Sequence, residues 1–471
     1  VNQEKGYQKR GKFWRRCLAL AAGLFLAVAL LMGFVIARRH AQDLRIRTEI
    51  QKRLDAIRAM GLPMTAQDLA RLYPDPPPEQ DASLLLEPAL AVLAVPEDST
   101  NLLFFGLALP RSDPLDQSAP ATGQQWLDRN QTAFGLIPWS KLEGAWVGSG
   151  FTNGLTNLAQ PPISKMMRLV RLLCLSAVLS VEAQHPHEAM QSLERAAIVG
   201  NTLKHDLPIH FLSQATAMSF ISQSLERVFN RANPTDADLA SLGRFLTFTN
   251  IGATKESVII NGRPLALFMA VTLQSRTTQP AKGVFSWESR LLRVLEGALL
   301  YQDADLLHYL DWNDYCRAAL DSPMSNAIPI LRRLEDDQNM ALKNKRISFL
   351  DAFKKDRFSL MNFQEPRVTD FLLPELMAVA HVRMAVVASA VERWRIAHDG
   401  QIPESMAELV PRLVPLVPTN PFDDEPLHYK KLAKGYVIYS VGEEINDESG
   451  HTKSSEATGP HPFDITFTVD R

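Results

Sequence analysis

The chain has 471 residues, 46% of them hydrophobic and 22% charged, which is the balance of a packed protein and excludes disorder along most of its length. Its formal net charge of -2 gives no concentrated basic surface for a phosphate backbone, so nucleic acid is excluded as an expected partner. Cys17, Cys174 and Cys316 form no CxxC pair and have no His spaced to complete a zinc site; Cys174 and Cys316 leave two readings open, a bridge or two buried thiols.

In chain order, residues 1–16 read as a basic tail carrying Lys5, Lys9, Arg10, Lys12, Arg15 and Arg16. Residues 17–37 are free of charge, and a helix of about 21 residues at ~1.5 Å each crosses a ~30 Å hydrocarbon core. Such a run exceeds the usual secretory h-region, and Arg38 and Arg39 follow it at once, so an uncleaved transmembrane helix is expected in preference to a signal peptide cut after Ala37. The cations on its two sides nearly match, so the positive-inside rule does not orient it. Residues 38–61 carry Leu44, Ile46, Ile50, Leu54, Ile57 and Met60 at helical spacing, which predicts a juxtamembrane helix ended by Gly61.

Residues 62–162 are broken by prolines and predict an irregular cap with one helical stretch near Thr122 to Leu136; Trp139, Trp146 and Phe151 read as packing anchors. Residues 163–365 predict a helical bundle. Its first helix buries Leu169, Leu172, Leu173, Ala177 and Val181, and its second, after the His185-Pro186-His187 turn, buries Ala189, Leu193, Ala196, Ala197 and Leu203. Further helices are predicted over Phe211–Phe229, Asp236–Leu246, Leu265–Leu273, Ser289–Leu310 and Ile328–Phe353. Asp305, His308, Asp311 and Asp314 recur at three-residue spacing on a predicted helical stretch, but their row drifts around the helix and reads as a solvated face. In residues 366–471, Pro374 is predicted to open a helix with Leu376, Ala380, Met384, Val387, Val391 and Trp394 on one face and Gly400 at its end. Phe463, Ile465, Phe467 and Val469 alternate with polar residues, which predicts a half-buried strand.

The order of residues from Gly400 to Gly450, with a proline-started short helix, Pro421-Phe422 ahead of Pro426-Leu427-His428-Tyr429, then Gly435-Tyr436 and Tyr439-Ser440, resembles the head of the G-type (major) pseudopilins of type II secretion systems. The resemblance implies a small α+β head with antiparallel strands working outside the inner membrane. It also implies a structural calcium ion in the loop after Tyr439-Ser440, for which Glu443, Asn446 and Asp447 are the candidate ligands; a solvated acidic loop is the alternative. The chain departs from the family at its start, where Lys12 follows Gly11 and Arg16 stands in place of the filament glutamate, so prepilin processing and pilus assembly are not implied. The stretch from Gly61 through the Pro74-Asp75-Pro76-Pro77-Pro78 run resembles the membrane-proximal part of large uncharacterised membrane-anchored proteins of planctomycetes and verrucomicrobia, which end in a similar head.

No phosphate loop, HExxH, GxSxG or kinase signature is present, so no catalytic residue and no cofactor other than calcium is nominated. The expectation is a mainly α protein with an N-terminal transmembrane helix, a helical bundle and a small pseudopilin-like head. It would be a single-pass inner-membrane protein, N-terminus cytoplasmic and C-terminal domain extracytoplasmic, with a structural or adaptor role and protein partners in the envelope. The alternative is an envelope hydrolase whose scattered active site lies between cap and bundle.

Overall fold

Turn and cap chemistry sets the helix limits. The computed structural model describes residues 2–94, 102–105, 109–116, 118–154, 162–203, 207–246, 252, 255–260, 262, 264, 302–343, 367–443 and 464–470. The fold is mainly α with a small three-stranded antiparallel sheet. The helices are α1 (Asn2–Ala59), α2 (Ala66–Leu72), α3 (Ala82–Val92), α4 (Ser118–Arg129), α5 (Gln131–Gly135), α6 (Trp139–Leu142), α7 (Ile163–Glu182), α8 (Pro186–Asn201), α9 (Pro208–Arg231) and α10 (Asp236–Gly243). After them come α11 (Gln302–Leu320), α12 (Met324–Lys343), α13 (Thr369–Ala397) and the strands β1 (His428–Lys431), β2 (Tyr436–Ser440) and β3 (Ile465–Val469).

The contacts divide the chain into two units. The first comprises Val1–Leu62, Met269–Trp312 and Lys345–Gln364, and the second Pro63–Phe268, Asn313–Asn344 and Glu365–Arg471. In the first, α1 runs unbroken through the apolar segment and the juxtamembrane residues. It ends as expected at Gly61, which sits at φ +69° with its N–H donating to Arg58 O at 2.9 Å. Only part of the juxtamembrane stripe is covered, since Ile50 and Ile57 are buried while Leu44 and Met60 are exposed. Arg53 reaches Asp311 at 2.7 Å.

In the second unit α7, α8 and α9 pack against one another, and α13 packs on α9 and on β2 and β3. The predicted faces of α7 and α8 are buried as expected. Proline opens both α8 and α9, where a missing N–H costs no helical bond. At Gly200 a Cβ would meet Ala217 and Met218 at 3.2 Å, so a bare backbone lets α8 and α9 approach closely. The helical stretch expected near Thr122 to Leu136 is split into α4 and α5 at Asn130. That fully buried amide donates to Ala94 O at 2.9 Å and Trp126 O at 2.8 Å and accepts from Ala94 N at 2.8 Å. Of the further predicted helices, α9 and α10 match closely. Leu265–Leu273, most of Ser289–Leu310 and the end of Ile328–Phe353 lie outside the described residues.

Two expectations need correction. The last helix begins at Thr369 and not at Pro374, because the buried Glu335 caps it from α12: its Oε1 accepts from Thr369 N at 2.9 Å and its Oε2 from Thr369 Oγ1 at 2.5 Å. Pro374 therefore lies inside the helix. Strand β3 is covered on both faces, since Thr466 and Asp464 are buried along with Phe467 and Val469, Thr466 beneath the Arg111 guanidinium. No disulfide joins Cys174 and Cys316, and both thiols are buried, Cys174 with its pKa pushed up by burial to about 12 against a hydrogen bond with Ser224.

The sheet order is β1-β2-β3, with Tyr436 opposite Lys431 on one side and opposite Val469 on the other. Gly435 enters β2 at φ +101°, and a Cβ there would collide with Val469 O, so only glycine lets the hairpin lie against β3.

Candidate functional site

The residues nominated for calcium do not form a described site. Asn446 and Asp447 lie outside the described residues, and Glu443 is held by Arg332 at 2.5 Å, which supplies the positive charge a cation would have brought. Among the described residues no group of three or more His, Cys, Asp or Glu side chains is placed to hold a metal ion. In the acidic row on α11, expected as a solvated face, Asp311 pairs with Arg53 at 2.7 Å and Asp314 lies 3.7 Å from Arg317, so these two carboxylates have cation neighbours. The turn histidines have structural partners, His187 Nδ1 lying 2.6 Å from Asp238 and His185 3.7 Å from Glu188. Burial works to raise the Asp238 carboxyl, but hydrogen bonds from Thr235 and His187 outweigh it and leave it below its ordinary value.

What sequence spacing did not indicate is a set of buried charges joining the bundle to the sheet. The first centres on the fully buried Arg227 of α9. Its Nε and Nη2 donate to Glu182 Oε1 at 3.0 and 2.7 Å, and its Nη1 to the carbonyls of Pro110 at 2.6 Å and Asp113 at 3.0 Å. Arg231, one turn on, donates to the other Glu182 oxygen at 2.9 Å. The cap segment is thereby tied to α9 by one side chain on two backbone carbonyls.

The second centre is Glu226. Its Oε1 accepts from Thr468 N at 2.5 Å and pairs with Arg111 Nε at 2.8 Å, while Arg111 Nη2 donates to Thr466 Oγ1 at 2.7 Å. Asn230 continues the pattern, donating to Thr468 O at 2.7 Å and accepting from Asp470 N at 2.8 Å. The outer edge of β3, which would otherwise present open backbone donors and acceptors, is thus satisfied by side chains of α9 in place of a fourth strand. Burial pushes the Glu226 carboxyl up to about 7, opposed by Arg111 and the Thr468 N–H.

The third is a cleft of about 510 Å³ lined by the end of α13, the Gly400 turn and the β1–β2 hairpin, with Glu392, Arg395, Glu404, Lys431 and Tyr436 on its walls. Glu392 accepts from Tyr436 Oη at 3.0 Å and from Arg395 Nε at 2.9 Å, Arg395 donates onward to Asn233 at 2.7 Å, and Lys431 pairs with Glu404 at 2.6 Å. A general base needs a lone pair aimed at a substrate proton. Here the carboxylates are engaged by neighbouring cations, so the chemistry on these walls is charge pairing and orientation. The cap has a smaller cleft of about 440 Å³ lined by Glu79, Lys141 and Glu143 among cap residues alone.

Comparison of the chain with known protein families, characterised proteins and solved structures finds no match.

Proposed function

We propose that this protein is a membrane-anchored structural or adaptor protein of the bacterial envelope, with α1 as its single anchor and the second unit as an extracytoplasmic domain. The observation that carries the reading is on α1: Phe25, Leu26, Leu30, Leu31 and Phe34 are each more than 60% exposed, on a charge-free segment bounded by cations. Large apolar side chains in such a row are stable against hydrocarbon and costly in water, at roughly 25 cal/mol per Å² left wet. The head reading rests on the Gly400 to Gly450 residue order, supported by a long helix packed on an antiparallel sheet. The adaptor reading is supported by the wall charges of the head cleft, which pair with one another. Calcium is not carried into the proposal, since Glu443 is engaged by Arg332.

A reporter active only outside the cytoplasm, fused after Arg471, is expected to be active, and the protein is expected to stay with membranes through a carbonate wash. Reporter activity confined to cytoplasmic fusions would reverse the orientation. Release by the wash would remove the anchor.

A further inference from the structure

Nearly every buried charge of the second unit described above has an opposite partner, and one helix departs from that pattern. Along α7 the cations Lys165, Arg168 and Arg171 recur at three-residue spacing, and the only acid of the helix, Glu182, is committed to Arg227 and Arg231. Lys165 donates to Leu90 O at 3.1 Å. Arg168 and Arg171 are half-buried neighbours on one face, where like charges repel. The Arg171 pKa is depressed, first by burial and then by Arg168.

The Arg171 guanidinium is held by two aromatic rings, its Cζ 5.6 Å from the Phe105 centroid and 5.2 Å from that of Phe220. A ring over the face of a guanidinium takes up none of its in-plane N–H donors. Arg171 Nε is buried and has no hydrogen-bond partner. A buried donor without an acceptor is costly, and a bound ion is one of the things that can satisfy it.

We propose that Arg168 and Arg171 bind a phosphate-type oxyanion, held in the plane of the Arg171 fork beside the Phe105 and Phe220 rings. Two adjacent guanidiniums suit a tetrahedral anion, whose several oxygens accept from both forks, better than a carboxylate, whose two oxygens are occupied by one. The shared chemistry is that of free phosphate and of the phosphodiester headgroup of an anionic lipid. The inference is independent of whether α1 spans a membrane.

The test is a melting experiment on the full chain in a neutral detergent at constant ionic strength. One arm titrates inorganic phosphate against chloride, and the other dopes the micelles with phosphatidylglycerol or with phosphatidylcholine. A ligand that binds only the folded state raises Tm with saturation. The expected result is a saturable rise that Arg168→Gln and Arg171→Lys each weaken at least about tenfold in apparent Kd. Arg244→Gln, which removes another arginine lying over a ring, 5.5 Å from Phe245, should leave the response unchanged. A rise with phosphate alone, or with both arms, makes the free oxyanion sufficient; a rise with phosphatidylglycerol alone assigns the site to a headgroup. Arg168→Gln retains the Arg171 stack, so its folding can be checked separately. No rise in either arm, or a rise that survives Arg168→Gln, would overturn the proposal.

Discussion

Helices α1 and α13 carry comparable apolar stretches and differ in what surrounds them. Among the described residues α13 is the one helix long and apolar enough to cross a membrane, yet 61% of its apolar window is buried inside the protein. Its charges show why it stays in the core. Arg383 donates to Thr419 O at 2.6 Å, Glu392 pairs with Arg395, and Arg393 reaches Asp236 at 2.6 Å, so the charged groups interrupting the apolar face find protein partners. The apolar run of α1 has no internal charge to satisfy, and its described large side chains, from Phe25 to Phe34, are exposed. The position and partners of the charges separate a core helix from a candidate span.

The largest expected effect comes from placing one acid in each helix. Val387→Asp puts an unpaired carboxylate at a buried position of α13 and should cost more than about 4 kcal/mol, a large part of a typical stability of 5–15 kcal/mol. Leu30→Asp in α1 should leave the melting temperature of the second unit unchanged and reduce retention in the membrane fraction. Chemical denaturation and fractionation of the two variants measure both. If Val387→Asp melts like the parent, α13 is not a core helix; if Leu30→Asp unfolds the protein, α1 is not an anchor.

The local signals of both helices were legible in the sequence. Gly61 and Gly400 mark the ends of α1 and α13, and the latter closes as glycine allows, at φ +90° with its N–H on Arg395 O at 2.9 Å. Spacing also identified the buried faces of α7, α8 and α13. What escaped was non-local. Glu335 caps α13 from another helix, Arg227 meets Glu182 across 45 residues of chain, and Glu226 reaches Thr468 across 242. No periodicity links residues so distant. The same cause hid the β3 edge, whose polar residues look solvent-facing until Arg111 and α9 cover them. The calcium nomination came from the resemblance; of its three residues Glu443 is the one described, and its partner Arg332 comes from α12, which the loop's own sequence does not reveal.

A middle-sized effect tests the pairing on α13. Tyr436→Phe removes the hydroxyl that donates to Glu392 while leaving the ring in place, and a hydrogen bond to a charged acceptor is worth about 1.5–3 kcal/mol. Denaturant midpoints should fall accordingly with an unchanged m-value. A neutral result would mean that Arg395 alone satisfies Glu392 and that the tyrosine contributes only packing.

The smallest effect concerns two groups whose titrations oppose each other, one on α13 and one on the helix it packs against. His381 is desolvated, which lowers its pKa from 6.5 to about 4, so the folded protein holds it neutral while the unfolded chain protonates it below 6.5. It therefore contributes a loss of stability as pH falls from 6.5 toward 4. Glu226 behaves in the opposite way, because burial raises it from 4.5 to about 7 and the folded state keeps a proton that the unfolded chain has released. It contributes a loss of stability as pH rises from 4.5 toward 7. Across the shared window the two slopes cancel in part, so the parent should melt at nearly the same temperature from about pH 4.5 to 6.5. Glu226→Gln leaves the histidine alone and should make the protein less stable on acidification; His381→Gln leaves the glutamate alone and should make it less stable as the pH rises. The double variant should be flat again at a lower temperature. A flat profile for His381→Gln would mean that the Arg111 contact holds Glu226 ionised throughout, and the buried charges of the second unit would then be permanent pairs.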